Sequence, residues 1–233
     1  MQNYLFKQIS VVNENKISEM DVYIKNGRIE KIGNNVDPKE KVTEIDGKGK
    51  HLFPGVIDDQ VHFREPGLTH KATIYTEIKA AVAGGVTSFM EMPNTIPNAL
   101  TQGLLEDKYA IAKQSSLANY SFFMGVSNTN ADEVLRTNEK RKEVCGVKIF
   151  MGTSTGNMLV DSEPALHKIF SESEVLIATH CENENIIRAN YSRIKASKPV
   201  LSPSDHPLIR DENACFISSS FAISLAKKYN SRL

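Results

Sequence analysis

The sequence carries no net charge, because 28 Lys+Arg balance 28 Asp+Glu. No long-range field therefore draws the chain to nucleic acid or to an anionic membrane surface. Cysteine is scarce. Cys145, Cys181 and Cys215 are odd in number and lack CxxC spacing, which argues against a disulfide framework and a cysteine zinc knuckle and fits the reducing cytoplasm. There is no apolar run of about 18 residues, and the N-terminal MQNYLFKQIS lacks a basic lead and a small-residue cleavage site, so neither membrane insertion nor secretion is indicated. Dinucleotide and phosphate-loop signatures are missing too. No GxGxxG follows a strand, and the glycine-containing loop Gly152–Asn157 lacks the GK[ST] ending. What is present is 40% apolar residues over 233 positions, enough for a large core. A small molecule held in a pocket is the ligand to expect.

Residues 1–51 read as short strands joined by turns, a small β-subdomain. Within it, Asn26-Gly27 between Val22–Ile24 and Arg28–Ile32 is a strong hairpin signal. From residue 52 to 233 the texture changes. Apolar runs at Val56–Asp58, Val86–Met92, Tyr120–Val126, Val147–Met151 and Val175–Thr179 alternate with helical patterns near 72–83, 101–118, 131–143, 161–172, 183–196 and 211–229. Strands and helices alternating at this spacing predict an α/β fold with a parallel sheet. Periodicity alone leaves the doubly wound sheet and the closed barrel open.

The chemistry-bearing residues stand at the ends of these strands, where barrel enzymes keep their sites. In Pro54-Gly55-Val56-Ile57-Asp58-Asp59-Gln60-Val61-His62-Phe63-Arg64-Glu65-Pro66-Gly67, an extended chain would direct Asp58, Gln60, His62 and Arg64 to one face. Four polar groups are costly to bury unpaired, so they are expected around a polar ligand or a metal. Lys148 lies inside the apolar strand Val147–Met151. A buried lysine loses its proton or is chemically changed, and its neutral amine can capture carbon dioxide as a carbamate; a snorkelling strand-end lysine is the structural alternative. His180 follows the run Val175–Thr179, a position that suits a metal ligand or a turn residue equally. Asn94, in Met92-Pro93-Asn94-Thr95, can cap the next helix or bind substrate. His51, His70, His167 and His206 fall in loops or on polar helix faces and read as solvated.

Together these segments resemble the amidohydrolase superfamily, and within it the dihydroorotases. The resemblance implies a (β/α)8 TIM-type barrel of the metal-dependent hydrolase kind, with a small N-terminal β-subdomain, and it extends over essentially the whole chain. In that pattern the first strand supplies Asp-x-His-x-His, matched here by Asp58-x-Gln60-x-His62. The fourth supplies a carboxylated lysine, matched by Lys148, and the fifth a histidine, matched by His180. Zinc, one or two ions, is the implied cofactor, together with the carbon-dioxide-derived carbamate on Lys148. Asp58 would orient neighbouring ligands. Gln60 departs from the pattern. An amide oxygen is a weaker zinc ligand than imidazole, so the more buried cation would bind loosely, be another ion or be missing.

Arg64 and Asn94 carry the narrower resemblance. In dihydroorotases the arginine after the second histidine and the asparagine of Met-Pro-Asn-Thr hold the substrate carboxylate, and a guanidinium fork suits that task. The implied substrate pair is N-carbamoyl-L-aspartate and L-dihydroorotate, in pyrimidine biosynthesis. No nucleic-acid or membrane partner is expected, and a homo-oligomer is left open. A hydantoinase or allantoinase type, and a non-catalytic barrel homologue that scaffolds a partner enzyme, are the competing readings. The chain stops at Asn230–Leu233, where the sixth strand and its histidine would begin, and the general-base aspartate of the eighth strand is not among these residues. A barrel incomplete in this way is expected to be inactive alone and to be a fragment or to need another polypeptide.

Overall fold

A computed structural model describes residues 2–152, 156–198 and 200–233, which divide between Val56 and Ile57 into two compact units. In the first, strands β1 (Tyr4–Asn13), β2 (Lys16–Lys25), β3 (Arg28–Gly33), β4 (Thr43–Asp46) and β5 (His51–Leu52) form one sheet. Its order is β3-β2-β1-β4, with β5 also on β1. Asn26 and Gly27 both have positive φ, 51° and 75°, the conformation that a two-residue hairpin turn demands. The β1–β2 turn uses the same conformation at Glu14 and Asn15, a hairpin that the sequence does not advertise because glutamate is an unusual residue there. Asp21 is buried, and its carboxylate accepts from the Gln8 and Val36 amides at 2.9 and 3.0 Å and from Lys7 Nζ at 2.9 Å. It thereby holds the irregularity in β1 between Phe6 and Ile9.

The second unit alternates strands and helices: β6 (Val56–Val61), α1 (Ile74–Ala83), β7 (Val86–Glu91), α2 (Gln102–Ser115), β8 (Asn119–Gly125), α3 (Ala131–Leu135), β9 (Gly146–Phe150), α4 (Glu163–Glu172), β10 (Ile177–His180), α5 (Glu184–Ser197), α6 (His206–Ile209) and α7 (Glu212–Tyr229). The strands lie in chain order, β10-β9-β8-β7-β6, and the recorded pairings are parallel. Local sequence sets the helix starts. Thr73, Thr101, Ser162, Asn183 and Asp211 each accept a first-turn amide with the side chain, satisfying a donor that the helix leaves unpaired.

Residues 131–143 do not form one helix. α3 stops at Leu135 and a 3₁₀ turn covers Arg136–Lys140, where Asn138 bonds the Glu172 carbonyl and the Glu174 amide and so competes with continued α-helix. The fifth strand runs to His180 itself, and the short helix α6 has no apolar period that would announce it.

Parallel register sorts the side chains by face. Val147 pairs with Ile177, and both belong to the core between sheet and helices together with Ile149, Leu166, Ile169 and Leu225. Phe122, in register with Glu91, faces α2, where Tyr109 meets it edge-on at 4.9 Å. Gly146, Lys148 and Phe150 take the opposite face, with Lys148 level with Gly125 and Ala178, and Phe150 level with His180.

Candidate active site

β6 is an edge of its sheet, and this governs the first motif. Asp58 is half-buried and Gln60 exposed, on a strand that has a neighbour on one side only. Asp58 Oδ1 accepts the Gln60 amide at 3.2 Å. The strand ends at Val61 and Arg64 has φ 68°. Strand alternation therefore does not place Arg64; the turn after His62 does.

His62 is half-buried, and its Nδ1 lies 2.8 Å from Asn94 Oδ1. An amide oxygen only accepts, so Nδ1 carries the proton and Nε2 keeps its lone pair. The capping role open to Asn94 belongs to Thr101. The two loops that carry these residues are joined by backbone: Met92 N–H donates to the Val61 carbonyl at 3.0 Å and Ile96 N–H to the Pro66 carbonyl at 3.2 Å. Glu65 turns away and accepts the first amide of α1, Ile74 N, at 2.8 Å.

Lys148 is buried in β9, and its Nζ stands 5.0 Å from the Phe150 ring centre. Among the described residues no carboxylate or carbonyl meets it. Burial lowers its pKa, because the charged form loses hydration without compensation. A buried, unpaired amine of this kind is what carbamate formation requires.

His180 is half-exposed, and its Nε2 lies 2.5 Å from Glu182 Oε2. Glu182 is gripped by Arg210, whose Nε donates to Oε1 at 2.7 Å and whose Nη2 donates to Oε2. Burial would raise the Glu182 pKa, but the bonds from Arg210 and His180 outweigh it and hold the carboxyl below its usual range. With Nε2 donating to this carboxylate, Nδ1 is the free nitrogen, the arrangement by which a carboxylate orients a metal-binding histidine. Glu182 and Arg210 escaped the sequence reading; the glutamate two residues past His180 was the available signal.

Burial lowers the pKa of His62, and Arg64 and Lys148 lower it further against the opposing Asn94 bond. Both cations thus lie within electrostatic reach of His62, and among the described residues neither has an acidic partner. No three His, Cys, Asp or Glu side chains converge on a cation position among the described residues. Histidines and acids alone therefore define no metal position among the described residues.

The loop Gly152–Asn157 is described only at its ends, and Thr153–Thr155 lie outside the described residues. A Cβ on Gly152 would meet the Glu182 Cβ at 2.7 Å, and one on Gly156 would meet Asn98 Oδ1 at 2.5 Å, so both ends run close to rim residues. His51, His70 and His206 are exposed as expected. His167 is not: it bonds the Tyr229 hydroxyl at 2.8 Å and ties α4 to α7.

This fold has clear relatives among known proteins. The L-hydantoinase from Arthrobacter aurescens superposes with a TM-score of 0.91 at 26% identity, covering 100% of this chain and 52% of its own. That places the second unit in the barrel fold of the amidohydrolase superfamily, as a curled parallel half-barrel. Residues 49–188 match the Dihydro-orotase-like family, and the chain belongs to it. The dihydroorotase of Methanosphaera stadtmanae is 31% identical over 236 residues, covering 100% of this chain and 52% of that protein. The dihydroorotase of Methanosarcina mazei is 33% identical over 195 residues, covering 80% of this chain and 41% of that protein. The chain thus spans about half, or less, of these relatives. No helix among the described residues is long and apolar enough to cross a membrane.

Proposed function

We propose that this chain carries the substrate-carboxylate and metal half of a dihydroorotase, which interconverts N-carbamoyl-L-aspartate with L-dihydroorotate and water in pyrimidine biosynthesis. One observation carries the reading. Lys148 is buried within its strand and Arg64 stands half-buried two residues past His62, and neither is neutralised by an acid among the described residues. A site that gathers cations in this way calls for an acidic ligand at one and an anionic modification at the other. N-carbamoyl-L-aspartate supplies the first and a carbamate on Lys148 the second.

His62 Nε2, the carbamate oxygens of Lys148 and His180 Nδ1 would hold one or two zinc ions, with Gln60 a weaker donor. The bound cation supplies a low-pKa water and polarises the amide carbonyl. Asn94 fixes the His62 tautomer through Oδ1, which leaves its Nδ2 free to donate to the substrate carboxylate beside the Arg64 guanidinium. Glu182, anchored by Arg210, keeps His180 in the matching tautomer. Asp58 supports the strand backbone that delivers Gln60 and His62. The aspartate that moves the proton to the ring nitrogen belongs, in this reading, to an eighth strand, so turnover is expected of a polypeptide that includes it. The cytoplasm is the expected compartment, in keeping with three cysteines that lack CxxC spacing, and a small molecule is the expected partner.

The test is hydrolysis of dihydroorotate and of hydantoin by the polypeptide with the complete barrel, with metal measured on the same sample. Dihydroorotate turnover with bound zinc is the expected result. Hydantoin turnover alone would make it a hydantoinase, and metal-free protein without either activity would favour the scaffold reading.

A further inference from the structure

Beneath the site, between β7 and α2, lies a buried ion pair that the reaction does not call for. Glu91 Oε2 and Lys108 Nζ are 2.7 Å apart and both side chains are 1% exposed. Such a pair is poor evidence for stability, since well-packed apolar residues in its place are often neutral or stabilising. What apolar residues cannot supply is direction. Glu91 Oε1 accepts the Phe63 amide at 3.1 Å, the peptide N–H between His62 and Arg64. Lys108 Nζ donates to the Met92 carbonyl at 3.0 Å, two residues before Asn94. One pair therefore fixes the backbone on both sides of the His62–Asn94 bond, and Phe63, its ring tilted against Phe89 with centres 4.7 Å apart, packs the same turn onto the core.

We infer that Glu91 and Lys108 are positioning residues for the site: Glu91 sets the placement of His62 and Arg64, Lys108 that of Asn94, and together they maintain the His62 Nδ1–Asn94 Oδ1 bond. This rests on the reading of His62 and Asn94 as site residues. The pair touches neither substrate nor metal in that reading and acts only through the backbone.

The test compares E91L/K108M, which removes both anchors, with E91Q/K108M, which keeps an acceptor for the Phe63 amide. The readouts are the His62 tautomer from long-range proton–nitrogen correlation, assigned with His62→Asn, and zinc affinity in bicarbonate buffer. E91L/K108M is expected to fold with a lowered thermal midpoint, because the Phe63 N–H and the Met92 carbonyl lose their partners, to lose its preference for the Nδ1-protonated ring by about fivefold, as for one lost hydrogen bond, and to bind zinc about tenfold more weakly. E91Q/K108M should show a smaller loss of the tautomer. Should E91L/K108M not fold, E91Q/K108M decides alone by the same sign. An unchanged tautomer and zinc affinity in a folded variant overturns the inference, as does failure of both variants to fold, because the pair would then serve folding only. Wild-type chain that binds no dihydroorotate counts against the proposed function and leaves the tautomer comparison intact.

Discussion

Asn94 Oδ1 sits 2.8 Å from His62 Nδ1, so the amide that closes one strand decides which nitrogen the histidine of the neighbouring strand offers. Asn94→Ala removes the acceptor and frees the ring to change tautomer. Zinc affinity is expected to fall by about 10–100-fold, the usual effect of losing a partner behind a metal-binding histidine, with little change in thermal midpoint. Competition with a chelator of known affinity measures it, and an unaltered affinity would mean that His62 is not a ligand.

Arg64 has no ion-pair partner among the described residues, so its guanidinium is available to an incoming carboxylate. Arg64→Ala should raise KM for dihydroorotate by roughly 10–100-fold, the range for a hydrogen bond to a charged group, while hydantoin hydrolysis, which involves no carboxylate, stays within a factor of about 2. Equal losses on both substrates would show that Arg64 shapes the loop and does not grip the ligand.

Much of this was legible in the sequence because local chemistry announces itself locally. Asn26-Gly27 can adopt its two positive φ angles without strain, and an alternation of apolar runs with capped helices leaves little choice but a parallel sheet. The site was less legible for a physical reason. The face to which a strand residue points follows from alternation only while the strand lasts, and Arg64 lies past its end at φ 68°. Burial depends on position in the sheet, and alternation along β6 does not report it. Glu91 and Lys108 lie on successive elements, β7 and α2, and neither apolar pattern shows that the two side chains meet.

Gly67 has φ 81°, and a Cβ there would stand 1.9 Å from the Ile96 carbonyl oxygen. The loop after His62 and the loop after Asn94 can be this close only with glycine at the crossing. Gly67→Ala is expected to destabilise the second unit by about 3 kcal/mol, combining a strained φ with overpacking, measurable by urea unfolding. A loss below about 0.5 kcal/mol, the level of an ordinary surface substitution, would show that the two loops separate without cost.

Burial pushes the Cys145 thiol up to about 11, whereas Cys215 is exposed on α7. The thiolate is the nucleophile, and a raised pKa leaves less of it at pH 8. Iodoacetamide should therefore label Cys215 first and Cys145 only once the unit unfolds, a sequence that peptide mass mapping resolves. Early labelling of Cys145 would mean that the β8–β9 region opens in the native state.

Lys148 is where stability and the proposed function pull in opposite directions. Burial lowers its pKa below the ordinary lysine value of about 10.4, so over the interval between the two values the unfolded chain binds more protons than the folded one. Stability must then rise with pH across that interval. The penalty is full below the folded pKa and gone above the unfolded one. Lys148→Met removes the penalty, so without bicarbonate or zinc the variant should be more stable than wild type at pH 7, with the gain shrinking as pH approaches 10. Carbon-13 bicarbonate should give wild type a carbamate signal that the variant lacks, and with zinc present the stability order should reverse, because binding to the folded state adds stability that a thioether side chain at this position cannot capture. A variant less stable at pH 7 in the absence of both would show that the amine is already satisfied in the fold, and the carbamate would lose its physical motive.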